Sequence, residues 1–215
     1  MENSYKIGSK NKTDKLGVII LAAGISERME RFYKPLLPYD EEFNFLEHIV
    51  KVYNQFKVNE IIIVVNNAVY EKMDSLFFNN RSIKIVINHH PEKGRFYSIL
   101  LGVSKLLNSN YCFLQNVDNP FVTSELFSLL LKNKTELGYT VPYFNNEGGH
   151  PILISKPIIH YLSNEKKSCL NLKNVLRTFK KVKVEVNDKN ILANINSLLD
   201  YKNYFEMNNF NCKVI

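Results

Sequence analysis

No stretch of this 215-residue sequence approaches the roughly 20 consecutive apolar residues that a membrane-spanning helix needs, so no bilayer span is expected. Cysteine is scarce. Cys112, Cys169 and Cys212 are odd in number and far apart, with no CxxC and no zinc-type spacing. That argues against a disulfide framework and fits a reducing, cytoplasmic setting. Several catalytic signatures are missing as well. There is no GxGxxG after the first apolar run and no GxxxxGK[ST], so neither a dinucleotide-binding Rossmann site nor a P-loop is supported. GxSxG and HExxH are also absent. The formal net charge is +7, which favours anionic partners in general or reflects a composition rich in Lys, Asn and Ile. Without an Arg-rich stripe or interleaved aromatic and basic residues, nucleic acid is not an expected partner.

What is present is an ordinary globular composition, 45% hydrophobic and 23% charged, without internal repeat, low-complexity segment or clear linker. One domain over residues 16–215 is expected. It follows a tail over residues 1–15 (MENSYKIGSKNKTDK) that is polar, lysine-rich and without the apolar core of a secretory signal. Apolar, β-branched runs predict strands at 17–23, 60–65, 83–87 and 111–115. Helical spacing predicts helices at about 43–56, 68–78 and 95–108, and Thr123 and Ser124 can cap another. Further strands are expected near 139–143, 151–155 and 181–186, the last half-exposed, and a final helix over Ser197–Phe205. The βαβα rhythm predicts a mostly parallel, Rossmann-like sheet covered by helices on both faces.

The most informative stretch is GVIILAAGISERMERFYKPLLP, residues 17–38. A buried strand stops at Gly24, and Ser26, Arg28 and Lys34 follow in a polar loop. A glycine permits close backbone approach, and exposed N–H groups and cations hold phosphate oxygens. Arg28 and Lys34 are ordinary surface cations or phosphate ligands; their place after a strand–Gly turn favours the second reading. Asp118, in QNVDNPF, ends another strand and either binds Mg²⁺ beside phosphates or caps a turn. His150 in GGHPI is a loop histidine bonded to backbone or a substrate contact. His89 and His90 are adjacent, make a poor metal pair and read as solvated. Gly24, Asn88 and Asp118 all follow strand ends, so they should share one edge of the sheet.

LAAGISERM (21–29) followed by KPLLP (34–38) resembles the signature of MobA-like nucleotidyltransferases, nearest to their molybdenum cofactor cytidylyltransferase branch. Leu46-Glu47-His48, NHHPEKGRFYSILLGV, VDNPFV and GGHPILIS resemble further family segments in the family's order. The resemblance implies a three-layer α/β/α fold with a sheet mixed at one side. It also implies a cytoplasmic, Mg²⁺-dependent transfer in which an acceptor phosphate attacks the α-phosphate of a nucleoside triphosphate and pyrophosphate leaves. Carried over, Leu21, Ala22, Ala23, Gly24, Ser26, Asn88 and Ser98 bind the nucleotide. Arg28, Lys34 and Asp118 are catalytic, Asp118 also holds the metal, and His150 shapes the acceptor side. CTP is favoured over GTP, because Ala23 narrows the space beside the loop. Molybdopterin or its molybdenum form is the implied acceptor, with a molybdoenzyme or cofactor chaperone as a further partner. Another phosphorylated acceptor, such as a sugar or alcohol phosphate, is the alternative.

Two departures stand out. Glu30 replaces a family glycine, and NINSLLD (194–200) replaces a D-I-D stretch in which an aspartate binds metal. Asn196 is then an uncharged, weaker ligand. Asp188 could substitute for it, or the chain could bind nucleotide without turning it over.

Overall fold

The structure, a computed structural model, describes residues 14–25, 32–73, 82–166 and 171–207. Its strands are β1 (Leu16–Ala22), β2 (Glu60–Val65), β3 (Ile83–Ile87), β4 (Tyr111–Asn116), β5 (Gly138–Phe144), β6 (Glu147–Gly148), β7 (Ile152–Ser155) and β8 (Lys180–Glu185). They form one sheet in the order β3-β2-β1-β4-β7-β5-β6, with β8 also paired to β5. The first four strands of this order are parallel. The sheet then becomes mixed, because β7 runs antiparallel to both β4 and β5 while β8 is parallel to β5.

Both faces of the parallel half are covered, which explains its uninterrupted apolar runs. Along β1, Val18, Ile20 and Ala22 enter one core, and Ile19, Leu21 and the following Ala23 enter the other. The first core is closed by α1 (Phe45–Gln55), α4 (Ser124–Lys132) and α7 (Leu198–Met207), with the short α2 (Asn67–Tyr70) at its margin. The second is closed by α3 (Gly94–Val103), α5 (Lys156–Asn164) and α6 (Leu172–Leu176). This is the expected three-layer α/β/α arrangement. None of its helices among the described residues is long and apolar enough to cross a membrane.

Local chemistry sets the helix ends. Asn44 and Glu47 form a reciprocal capping box at α1. The Ser197 hydroxyl accepts from the Asp200 N–H while the Asp200 carboxylate accepts from the Ser197 N–H, which starts α7. α3 stops at Val103, short of the expected 108. The Glu60 carboxylate accepts from the Leu107 N–H (3.0 Å) and from the Ser109 hydroxyl (2.6 Å), drawing that segment out of the helix. The expected helix over 68–78 is represented by Asn67–Tyr70, and 74–78 lie outside the described residues. Two helices were not expected. α5 begins at Lys156-Pro157 and buries only Ile158 and Leu162; α6 has five residues. At the expected tail boundary, Lys15 is already held by Asn110, whose side-chain oxygen accepts from its N–H at 3.2 Å.

The turn after β4 is bound to the C-terminal segment by a buried amide. Asn119 Nδ2 lies 2.9–3.0 Å from the carbonyl oxygens of Asn190, Ile191 and Ala193. The Asp118 carbonyl accepts from the Ile195 N–H at 2.9 Å. Behind the turn, Gln115 Nε2 donates to the carbonyls of Asn116 (2.7 Å) and Asn119 (2.8 Å). Asn119→Ala takes a donor from all three carbonyls, of which Asn190 and Ile191 keep the N–H groups of Ala193 and His150, and should cost about 2 kcal/mol of stability. Urea unfolding would read this as a lower midpoint at unchanged slope.

Candidate active site

The C-terminal ends of the parallel strands open on a cavity of about 510 Å³. Its wall includes Leu21 and Ala22 at the end of β1 and Ala23 and Gly24 after it, Lys34 and Pro35, Glu92 before α3, Gly94, Arg95 and Ser98 of α3, and Asn116 at the end of β4 with Val117 and Asp118 after it. Most of the expected nucleotide residues therefore share one wall. Gly24 is among them, with room for the close approach expected of it. Its φ is not positive, and a Cβ there would meet nothing within 4 Å, so it leaves open space beside the strand end. Gly94, by contrast, has φ 80° where the chain enters α3. Ser26, Arg28 and Glu30 lie outside the described residues.

Asn88 is not part of the cavity wall. It is wholly buried: its side chain donates to the Ser98 hydroxyl (3.0 Å) and accepts from the His90 N–H (2.8 Å). It braces the β3–α3 loop and aims Ser98. His89 and His90 are exposed, as expected. Asp188 caps the turn over Lys189–Leu192, with its carboxylate accepting from the Asn190 N–H at 2.9 Å, and lines neither this cavity nor its smaller neighbour.

The two expected metal ligands converge on one cation. Lys34 Nζ donates to Asn196 Oδ1 at 2.7 Å and lies 3.9 Å from Asp118 Oδ2. Burial raises the Asp118 carboxyl above its ordinary value, and the charges of Lys34 and Arg95 oppose this. Asn194 and Asn196 line a smaller cavity of about 380 Å³ with Asp118, Arg95 and His150.

His150 is held by its backbone, whose N–H donates to the Ile191 carbonyl at 2.9 Å, and its Nε2 lies 3.0 Å from Asn116 Nδ2. The preceding Gly149 is needed here because a Cβ would collide with the Ile191 carbonyl oxygen. Burial, aided by the Arg95 charge, pushes the imidazole down to about 4. It is therefore neutral at pH 7.

Arg95 is the residue the sequence reading missed. It stands in the first turn of α3 and lines the 510 Å³ cavity, the 380 Å³ cavity and a third of about 850 Å³. Water reaches its guanidinium inside the cavities, yet surrounding protein still lowers its affinity for a proton, against the pull of Asp118. It stays charged at neutral pH. The available signal was GR at the entrance to an apolar helix behind a proline-containing loop.

A cation between a half-buried carboxylate and an amide, under a loop of strand-end backbone, can neutralise phosphate oxygens. The model of the MobA-like NTP transferase domain matches residues 18–183. The chain belongs to this family. As a MobA-like nucleotidyltransferase, it is 28% identical to the molybdenum cofactor cytidylyltransferase of Escherichia coli K12 over 183 residues, 85% of this chain and 92% of that one. It is 29% identical to a probable molybdenum cofactor guanylyltransferase of Clostridium perfringens SM101 over 130 residues, 60% of each chain. The crystal structure of Rv0371c from Mycobacterium tuberculosis H37Rv shares the fold. Its TM-score is 0.73 at 19% identity, covering 89% of this chain and 98% of that one. Rv0371c has also been solved in complex with manganese, at a TM-score of 0.68 and 17% identity, covering 89% of this chain and 98% of that one.

The raised Asp118 carboxyl has a stability consequence. It binds its proton more readily in the folded state than in the unfolded one, so stability falls as pH rises from the ordinary carboxylate value through the raised one. Asp118→Asn should therefore melt above the parent at pH 7. In calorimetric scans the gap should close by about pH 3, where both states are protonated.

Proposed function

We propose that this nucleotidyltransferase moves CMP from CTP to the phosphate of a molybdopterin-type acceptor in a Mg²⁺-dependent reaction. One observation carries this reading: the 510 Å³ cavity beneath the β1 loop and the 850 Å³ cavity beside it share Gly94 and Arg95, next to Asp118. A triphosphate in the first and a phosphorylated acceptor in the second would bring their phosphates to one place, and orientation of this kind supplies much of the barrier reduction in phosphoryl-type transfers.

An acceptor phosphate oxygen forms a bond to the α-phosphorus, the bond to the bridging oxygen breaks, and that oxygen leaves on pyrophosphate. Lys34 and Arg95 neutralise charge on the phosphate oxygens. The acceptor is already an anion, so no general base is required. His150, neutral at pH 7, serves by position. The oxygen donors Asp118 and Asn196 suit a hard cation, as they already meet on one, the Lys34 ammonium. Together with phosphate oxygens they would hold Mg²⁺, which when bound supplies further neutralisation at the phosphates. CTP is favoured because Ala23 lines the cavity at a position where a glycine would leave more room.

The test is pyrophosphate release by the purified protein with Mg²⁺, molybdopterin and either CTP or GTP. Turnover with CTP above GTP is expected, and silence with both nucleotides refutes the reading. Asp118→Asn should abolish turnover while gaining stability, which separates a lost catalytic charge from a lost fold. Ala23→Gly should move the CTP-to-GTP ratio of kcat/KM toward GTP by about tenfold, the scale of one methyl in a pocket.

A further inference from the structure

The 850 Å³ cavity has a charge pattern that a single acceptor phosphate leaves unexplained. Lys93 and Arg95 line it from the entrance and first turn of α3, Lys173 and Arg177 from α6 and its C-terminal end, and Lys181 from β8. No Asp or Glu among the described residues lines it. Among the described residues, none of the five cations lies within 4.0 Å of a carboxylate, and Arg95 feels Asp118 only at longer range. A cleft lined by one sign of charge focuses its field on whatever enters. Like charges so gathered repel one another until an anion arrives.

The cations fall into two groups separated by an apolar floor. Arg95 also lines the nucleotide cavity with Asp118, and Lys93 precedes it at the entrance to α3. Lys173, Arg177 and Lys181 lie on α6 and β8, elements that contribute nothing to that cavity. Between them run Phe96, Ile99, Val141, Ile152, Leu172 and Leu176, with Tyr139 and Tyr143 beside β8. Lys181 is fixed in place, donating to the Tyr143 hydroxyl at 2.9 Å. A phosphate beside Arg95 would neutralise the first group and leave the second facing solvent.

We propose that the acceptor of this enzyme is anionic at both ends, its reacting phosphate at Arg95 and a second acidic group at Lys173, Arg177 and Lys181, with a flat apolar middle on the floor between them. This deepens the function proposed above and rests on it for which substrate fills the cavity. It disfavours acceptors with a cationic tail, which would meet three lysine and arginine side chains with no carboxylate among the lining residues.

The experiment is a binding measurement without nucleotide or turnover, so its outcome is independent of whether CMP transfer occurs. Phenylphosphonate carries one anionic end on a ring; 4-phosphonobenzoate and its longer biphenyl homologue carry two. Isothermal titration calorimetry of the full chain at low salt should show at least one of the two-ended probes binding about tenfold tighter than phenylphosphonate, the scale of an added charge-assisted contact. The preference should disappear in Arg177→Gln/Lys181→Gln, whose changes lie on exposed side chains, while CTP binding is retained. Equal affinity for all three probes, no binding of any, or a preference that survives the double variant but vanishes in Lys34→Gln overturns the proposal. The last result would put the second anion in the nucleotide cavity.

Discussion

The Asn119 carboxamide joins the two segments on which the charged groups of the site depend. One follows β4 and carries Asp118; the other runs from Asn190 to Asn196. They are more than 70 residues apart in the chain, and neither is part of a strand or α-helix where they touch. Their register is set by the short bonds from one buried amide to the carbonyls of Asn190, Ile191 and Ala193. The Ile195 N–H bonded to the Asp118 carbonyl completes the join. With those bonds in place, Asn196 and Asp118 can face the same lysine. The Ile191 carbonyl also accepts the N–H of His150, so the histidine is placed by the same segment. The donor half of this buried amide is fully used, and its bonds also position the site.

The electrostatics follow from that placement. Asp118 is an anion held where burial opposes ionisation, and it is kept useful by two cations at unequal distance, Lys34 nearby and Arg95 farther off. Such an arrangement works against the stability of the empty protein and in favour of a phosphate, a trade common at functional sites. The surrounding cavities add more positive than negative charge. The net charge of +7 is therefore not only a matter of composition, because five of the cations ring one cavity.

Much of the fold was legible because the parallel strands are buried on both faces. Runs such as EIIIVV at 60–65 leave few alternatives to a central strand, and the observed β2 has these bounds. The half-exposed β8 was legible for the opposite reason, since KVKVEV alternates and only Val184 of that strand is buried. α5 and α6 were not, because each buries just two apolar residues and offers no long helical period. Of the candidate site, the residues next to strand ends could be read from position alone. Asn88 follows a strand end too, yet its side chain turns inward to serve Ser98. That orientation is a property of the β3–α3 loop, which no local pattern encodes. Arg95 was invisible for a related reason: its importance comes from three cavities meeting at one side chain, a fact of tertiary geometry.

The asparagine at 196 can then be understood through its partner. The Lys34 ammonium donates to the neutral Asn196 carbonyl at 2.7 Å, and the same ammonium lies 3.9 Å from Asp118. Were residue 196 an aspartate, Lys34 would sit between two carboxylates, a stronger trap from which a phosphate would have to draw it. An uncharged oxygen orients the lysine without adding a negative charge of its own. A negative triphosphate entering the cavity would meet Lys34 and Arg95 beside Asp118 and Glu92, with Lys34 already turned toward Asp118.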